Sequence, residues 1–154
     1  MRKIFLHGMY SVTDLSRLVR EETSAYYAAR QTNFTNPEFA KRFVQNAIGA
    51  EESEQFYVLF LDTQHRLIKA EIVFHGTIDA SMVYARELVR KSIEHNAAAI
   101  IIARNHPSGN SEPSTADRRS TQQIKQAMEL IDIQLLDHLV VGSDVVSFVE
   151  RGML

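Results

Sequence analysis

A chain of 154 residues can bury most of the apolar surface of one domain and is short for two. Its 45% hydrophobic and 23% charged residues are ordinary globular proportions, and a net charge of −2 supplies no bulk field towards nucleic acid or an anionic membrane. With no cysteine, disulfides and thiolate metal sites are excluded, so any metal must be held by His, Asp or Glu.

No apolar run approaches the ~20 residues of a membrane span, and the opening MRKIFLHGMYS lacks the apolar core and cleavage site of a signal peptide. A soluble cytoplasmic protein is the expectation. Residues 1–35 read as an N-terminal extension, an appendage or a dimer arm. Within it Thr13 or Asp14 could cap a short helix carrying Leu15, Leu18 and Val19. Residues 36–154 read as the domain proper. Asn36-Pro37-Glu38 is an N-cap followed by proline at the first helical position and an acid in the first turn; Phe39, Phe43 and Ala47 then repeat at helical spacing, and Gly49 stands where a C′ glycine is wanted.

Residues 56–62 (FYVLFLD) and 66–76 (RLIKAEIVFHG), joined by a short polar turn, predict a hairpin of central strands. Ser81 opens a helix with Met82, Ala85, Val89 and Ile93 on one stripe, closed by Asn96. Residues 97–103 (AAAIIIA) are too short and too uniformly apolar for a surface helix, so they predict a strand buried on both faces. Ser114 starts a further helix with Ile124, Ala127, Met128 and Ile131 inward, and residues 134–142 and 145–150 predict a last hairpin turned at Gly142-Ser143-Asp144. The order α, β, β, α, β, α, β, β describes a mixed sheet flanked by helices, an α/β (α+β) fold.

The chemistry-bearing residues cluster where the 97–103 strand ends. Side chains two apart on a strand share a face, so Arg104 and His106 project together. Pro107, Ser108 and Gly109 turn the chain, and Asp117 arrives one turn into the next helix, where it can converge with His106. Ser114-Thr115-Ala116-Asp117 also fits a capping box, in which serine and acid serve only the helix start.

The whole string is more specific than its parts. His106-Pro107, six residues, then Ser114-x-x-Asp117, after a buried strand and with acids upstream, resembles the JAB/MPN (JAMM) metalloprotease domain. More closely, NHPSGNSEPSTAD, LFLDTQHRLI, FHGTID and LLDHLVVG resemble, in order and spacing, the JAB domain of the RadC family, from about Asn36 to Gly142. The resemblance implies a cytidine-deaminase-like mixed sheet and a Zn²⁺ held by an H-x-H pair and an aspartate, with water in the fourth position. It implies a general-base glutamate and a serine that stabilises the oxyanion. Carried onto this chain, the metal ligands are His106, as second histidine, and Asp117; the catalytic residues are Glu54, with Glu51 and Glu52 as competitors, and Ser114. Asp137-His138 also matches the family, and reads most simply as a structural hydrogen-bonded pair. Arg118 and Arg119 read as solvated flanks that could steer an acidic group.

One position departs from the pattern: the first histidine of the pair is Arg104. Arginine stays protonated and has no free lone pair, so it cannot ligate zinc. A unit charge ~4 Å from a divalent ion is repelled by about 8 kcal/mol at an effective dielectric of ~20. The expectation is therefore a RadC-like JAB domain with a weakened or absent zinc site, in which Arg104 neutralises Asp117 or Glu54. Such a chain serves as a binding or regulatory module for a peptide or protein. The alternative is an active zinc metallopeptidase or isopeptidase-type hydrolase whose site is completed by His75 or by a residue of a partner chain. DNA binding, suggested by the repair-related family name, finds no Lys/Arg stripe to support it. A homo-oligomer remains open.

Overall fold

In chain order the elements are α1 (Val12–Ala29), α2 (Pro37–Ile48), β1 (Gln55–Leu61), β2 (Leu67–His75), α3 (Ser81–Glu94), β3 (Ala99–Asn105), α4 (Thr115–Glu129), β4 (Gln134–Val141) and β5 (Val145–Ser147). The computed structural model describes residues 11–76 and 81–154, the side chains of 81–83 excepted. Thr77-Ile78-Asp79 and the Met82 side chain, both singled out above, lie outside it.

The strands form one sheet in the order β2-β1-β3-β4-β5, in which β3 and β4 run parallel and the other neighbours antiparallel. Period-2 alternation splits the core in two. Tyr57, Leu59, Leu61, Ile101 and Ala103 pack under Phe43, Val44 and Ile48 of α2. Phe56, Val58, Phe60, Ile100 and Ile102 pack under Leu88 of α3 and Ile124 and Met128 of α4. Strand β3 is covered on both faces, which is why its sequence is apolar without alternation.

The structure differs from the sequence expectations at several places. Helix α1 runs 18 residues from an N-cap at Ser11, with Asp14 as the reciprocal partner of a capping box, rather than from Thr13 or Asp14. It packs on β2, where the buried Ser24 hydroxyl accepts the Ala70 amide at 2.8 Å. Only β1 of the first hairpin is central; β2 is an edge strand, and α1 takes up part of its polar backbone. Gly49 ends α2 in a right-handed conformation (φ −65°), not the left-handed one expected of a C′ glycine. Among the described side chains of α3 the buried ones are Tyr84, Leu88 and Ser92, one position round from the expected stripe, and Ile93 is 61% exposed. Aromatic packing turns the helix: Tyr84 lies 5.3 Å from Phe56 and 4.4 Å from Phe74 between ring centroids. Strand β3 starts at Ala99 and runs on through Arg104 and Asn105, and β5 stops at Ser147.

Candidate functional site

At the end of β3 the strand register sets out the site. Phe56 pairs with Arg104, so Glu54, two residues before Phe56, comes to the same face, which is the one covered by α3 and α4. Asn105 points the other way and anchors the segment before β1: its Oδ1 accepts the Gln55 amide at 2.6 Å, and its Nδ2 donates to Ser53 O at 3.0 Å and Glu51 O at 3.3 Å. Glu51 pairs with Arg20 of α1 and Glu52 is exposed, so Glu54 alone of the three acids stands beside Arg104.

The Arg104 guanidinium bridges two carboxylates. Nη1 donates to Asp117 Oδ1 at 3.1 Å and Nη2 to Glu54 Oε2 at 2.5 Å. Burial works against the Arg104 charge, but the Glu54 hydrogen bond and the Asp117 charge outweigh it and raise the guanidinium above its ordinary value.

Asp117 is fully buried, in the first turn of α4, and Ser114 is that helix's N-cap. The capping box is complete: the Asp117 amide donates to Ser114 Oγ at 3.0 Å, while Asp117 Oδ2 accepts the Ser114 amide at 2.8 Å and hydroxyl at 2.7 Å. Burial would raise the Asp117 carboxyl, but the two Ser114 hydrogen bonds, with Arg104 among the lesser causes, hold it below the usual range.

His106 follows the strand, its amide bonded to Val141 O at 2.7 Å and its Nδ1 to Asn110 O at 2.8 Å. A carbonyl only accepts, so Nδ1 carries the proton, and Nε2 lies 3.3 Å from Asp117 Oδ2. The His106 loop rests on the β4–β5 turn through Ser143 N to Gly109 O at 2.8 Å and through Ser111 to Asp144. His75 pairs with Gln55 across the strands and so belongs to the opposite face from Arg104, away from this cluster. Arg118 is exposed, 3.8 Å from Glu112.

Sequence reasoning missed the layer beneath. Asp137 and His138 do not pair through their side chains: Asp137 accepts the His138 and Val149 amides and the Ser147 hydroxyl, whereas His138, the next residue on the strand, points to the other face. There Thr121 Oγ1 lies 2.6 Å from both Asp117 O and His138 Nδ1. Its single proton goes to the carbonyl, so His138 donates from Nδ1 and its buried Nε2 has no partner among the described residues. The ring stacks on Phe148 at 4.6 Å, and burial first of all, opposed by the Asp117 carboxylate and helped by the Arg104 charge, lowers its pKa to about 4. A threonine four residues after Asp117 and a strand histidine carry no sequence signal that would join them.

The zinc implied by the resemblance can be tested against the donors. Its third ligand position holds a protonated guanidinium that pairs with both Glu54 and Asp117, so only two of the three ligands the resemblance implies, His106 and Asp117, are present. Among the described residues no group of three His, Asp or Glu side chains is placed to hold a metal. The residues present do not fit a tetrahedral site with three protein ligands.

A mixed five-stranded sheet between helices, with a glutamate before the first strand, a histidine after the central one and an aspartate opening the next helix gathered at one sheet end, is consistent with a JAB-like domain. The family model of the RadC-like JAB domain matches residues 34–153, and the chain belongs to that family. It is 55% identical over 126 residues to a UPF0758 protein of Aliivibrio fischeri (strain MJ11), covering 81% of this chain and 56% of that protein. A UPF0758 protein of Aliivibrio salmonicida (strain LFI1238) is 54% identical with the same coverage. One of Vibrio cholerae serotype O1 (strain M66-2) is 49% identical over 140 residues, 88% of this chain and 62% of that protein. The chain thus spans little more than half the length of these relatives.

Proposed function

We propose that this chain is a RadC-like JAB domain whose zinc site is degenerate and which works as a non-hydrolytic binding or regulatory module for a peptide or protein. The observation that carries this reading is the Arg104 guanidinium set between Glu54 and Asp117. It supplies a fixed positive charge where the family pattern calls for a ligand, and it engages the glutamate that would act as general base. Ser114, the other residue expected to be catalytic, is engaged by the α4 cap.

A second reading, an active zinc-dependent metallopeptidase or isopeptidase-type hydrolase, has one contact in its favour. His106 bound through Nδ1–H to a carbonyl presents Nε2 in the tautomer a metal ligand uses. Zinc titration of the purified chain by calorimetry separates the two. The degenerate site takes up no zinc stoichiometrically; one equivalent bound at sub-micromolar affinity and lost in His106→Ala would establish the second reading in its place.

A further inference from the structure

Helix α1 lies outside residues 34–153, the part of the chain that the family model matches, yet it is built into the domain. Its inner face is made by Arg20, Ser24, Tyr27 and Ala28, spaced by three and four residues. Tyr27 meets Phe39 and Phe43 of α2 edge-on, with ring centroids 5.9 and 5.4 Å apart, and Ser24 holds the Ala70 amide of β2. Just past the C-terminal end of α1, Gln31 Oε1 accepts from Arg66 Nη1 at 3.0 Å. Arg66 immediately precedes β2, and His75 ends that strand beside Gln55, so the helix runs antiparallel to β2 and its earlier turns reach the sheet end that carries the site. There Arg20 pairs with Glu51, both side chains being largely buried, at 13% and 19% exposure. Burial pushes the Tyr57 hydroxyl of β1 up, and the nearby Arg20 charge opposes it, which places the same guanidinium over the sheet.

Glu51 opens the short stretch that ends at Glu54. Asn105 holds this stretch by the Gln55 amide at 2.6 Å and the Ser53 carbonyl at 3.0 Å, but reaches the Glu51 carbonyl only at 3.3 Å. A charge-assisted pair sheltered from water is stronger than a neutral hydrogen bond of that length, so the firmer hold on Glu51 is through its side chain. We propose that Arg20 is a positioning residue for the site: by fixing Glu51 it fixes the path of residues 51–54, and with it the geometry in which Glu54 meets Arg104. Lifting α1 from the sheet would then loosen the Glu54–Arg104 pair, which gives the N-terminal helix a hold on the site. This inference rests on the Glu54–Arg104–Asp117 cluster being the functional site, but its test involves no zinc, so it can fail while that reading stands.

The test is the exchange with water of the Arg104 guanidinium protons, followed by proton–nitrogen NMR in the full chain. Arg20→Gln is expected to speed it about tenfold, within the range of coupling found between residues that share one network. Glu51→Gln removes the other half of the pair and should do the same, which keeps the test open if Arg20→Gln fails to fold. Ser24→Ala removes another polar contact of the inner face without touching Glu51. It should lower the melting temperature and leave the Arg104 protons as protected as in the parent. Parent-like protection in a folded Arg20→Gln or Glu51→Gln protein overturns the proposal. Equal acceleration in Ser24→Ala overturns it too, because α1 would then support the domain as a whole and not Glu54 through Arg20.

Discussion

Replacing Arg104 by histidine exchanges the one side chain that coordination chemistry forbids at this site for one that it requires. A zinc ion ~2 Å from an Asp117 oxygen would lie within about 5 Å of a guanidinium that is itself 3.1 Å from that carboxylate. The resulting repulsion is of the order of 7 kcal/mol at an effective dielectric of ~20, enough to remove measurable affinity. Histidine at 104 abolishes it and adds a donor two residues from His106 on the same face. Without metal, however, the variant loses both ion pairs and leaves Asp117, at 0% exposure, with Ser114 and the His106 ring 3.3 Å away as its neighbours. Breaking a buried pair costs about 3–5 kcal/mol, and the 26% exposure of Glu54 argues for the lower end, about 3 kcal/mol. For a chain of this size that is a fall of about 6–12 °C in melting temperature. Zinc at a hundred times its Kd returns about 2.7 kcal/mol. Thermal unfolding with and without zinc should therefore show Arg104→His melting well below the parent when metal-free and recovering most of the loss with zinc, while the parent does not move. A variant that melts lower but gains nothing from zinc would refute the claim that Arg104 alone disarms the site, and a parent stabilised by zinc would refute the exclusion.

Gly142→Ala should loosen the His106 loop. A Cβ there would lie 2.5 Å from Gly109 O and 2.6 Å from Ser111 N, both backbone, so about 1–3 kcal/mol of stability is expected to go, together with a shift of the His106 ring resonances. Unchanged melting and unchanged resonances would show that the loop yields freely. Stability should also fall with acid because His138 is buried neutral. Its folded pKa, about 4, lies below the unfolded value near 6.5, so the unfolded chain binds the proton first, and stability that is full above 6.5 is lost as pH falls towards 4. Between pH 7.5 and pH 5 the loss from this group is about 2 kcal/mol. Asp137, raised by burial, acts in the opposite sense, so the informative comparison is with His138→Phe by urea unfolding at both pH values; an identical pH slope in that variant would remove His138 from the account.

What could be read from the sequence, and what could not, follows from how local each signal is. The caps of α2 and α4 are written in four consecutive residues, and β3 announces its double burial by composition. The α1 cap was equally local: Ser11-Val-Thr-Asp14 is the same box as Ser114-Thr-Ala-Asp117, and was hidden only by the weak periodicity that follows it. The α3 face was not local. Its orientation is decided by Phe56 and Phe74, which the chain brings to Tyr84 from two strands. In the site, one-residue alternation was enough to put Arg104 with His106, and nearness to the strand favoured Glu54 among its acidic neighbours, whereas the pairing of Glu51 with Arg20 joins residues far apart in sequence. Gly142 read as a turn glycine, yet its φ is not positive; what excludes a side chain is the close passage of residues 109–111, a tertiary fact.

Each member of the cluster is held in place by contacts that do not depend on what lies between them. Glu54 is set by Asn105 gripping the segment before β1, His106 by Val141 and Asn110, and Asp117 by its own cap and by Thr121. Arg104 is set by its place in β3. Two of these residues are carboxylates, one of them fully buried, and a frame of this kind requires a cation at its centre whatever the source. A metal supplies that cation reversibly and with open coordination positions. A guanidinium supplies it covalently and with none. Arginine at 104 is thus compatible with the whole frame, and it sets a fixed cation where the family pattern has a metal ligand.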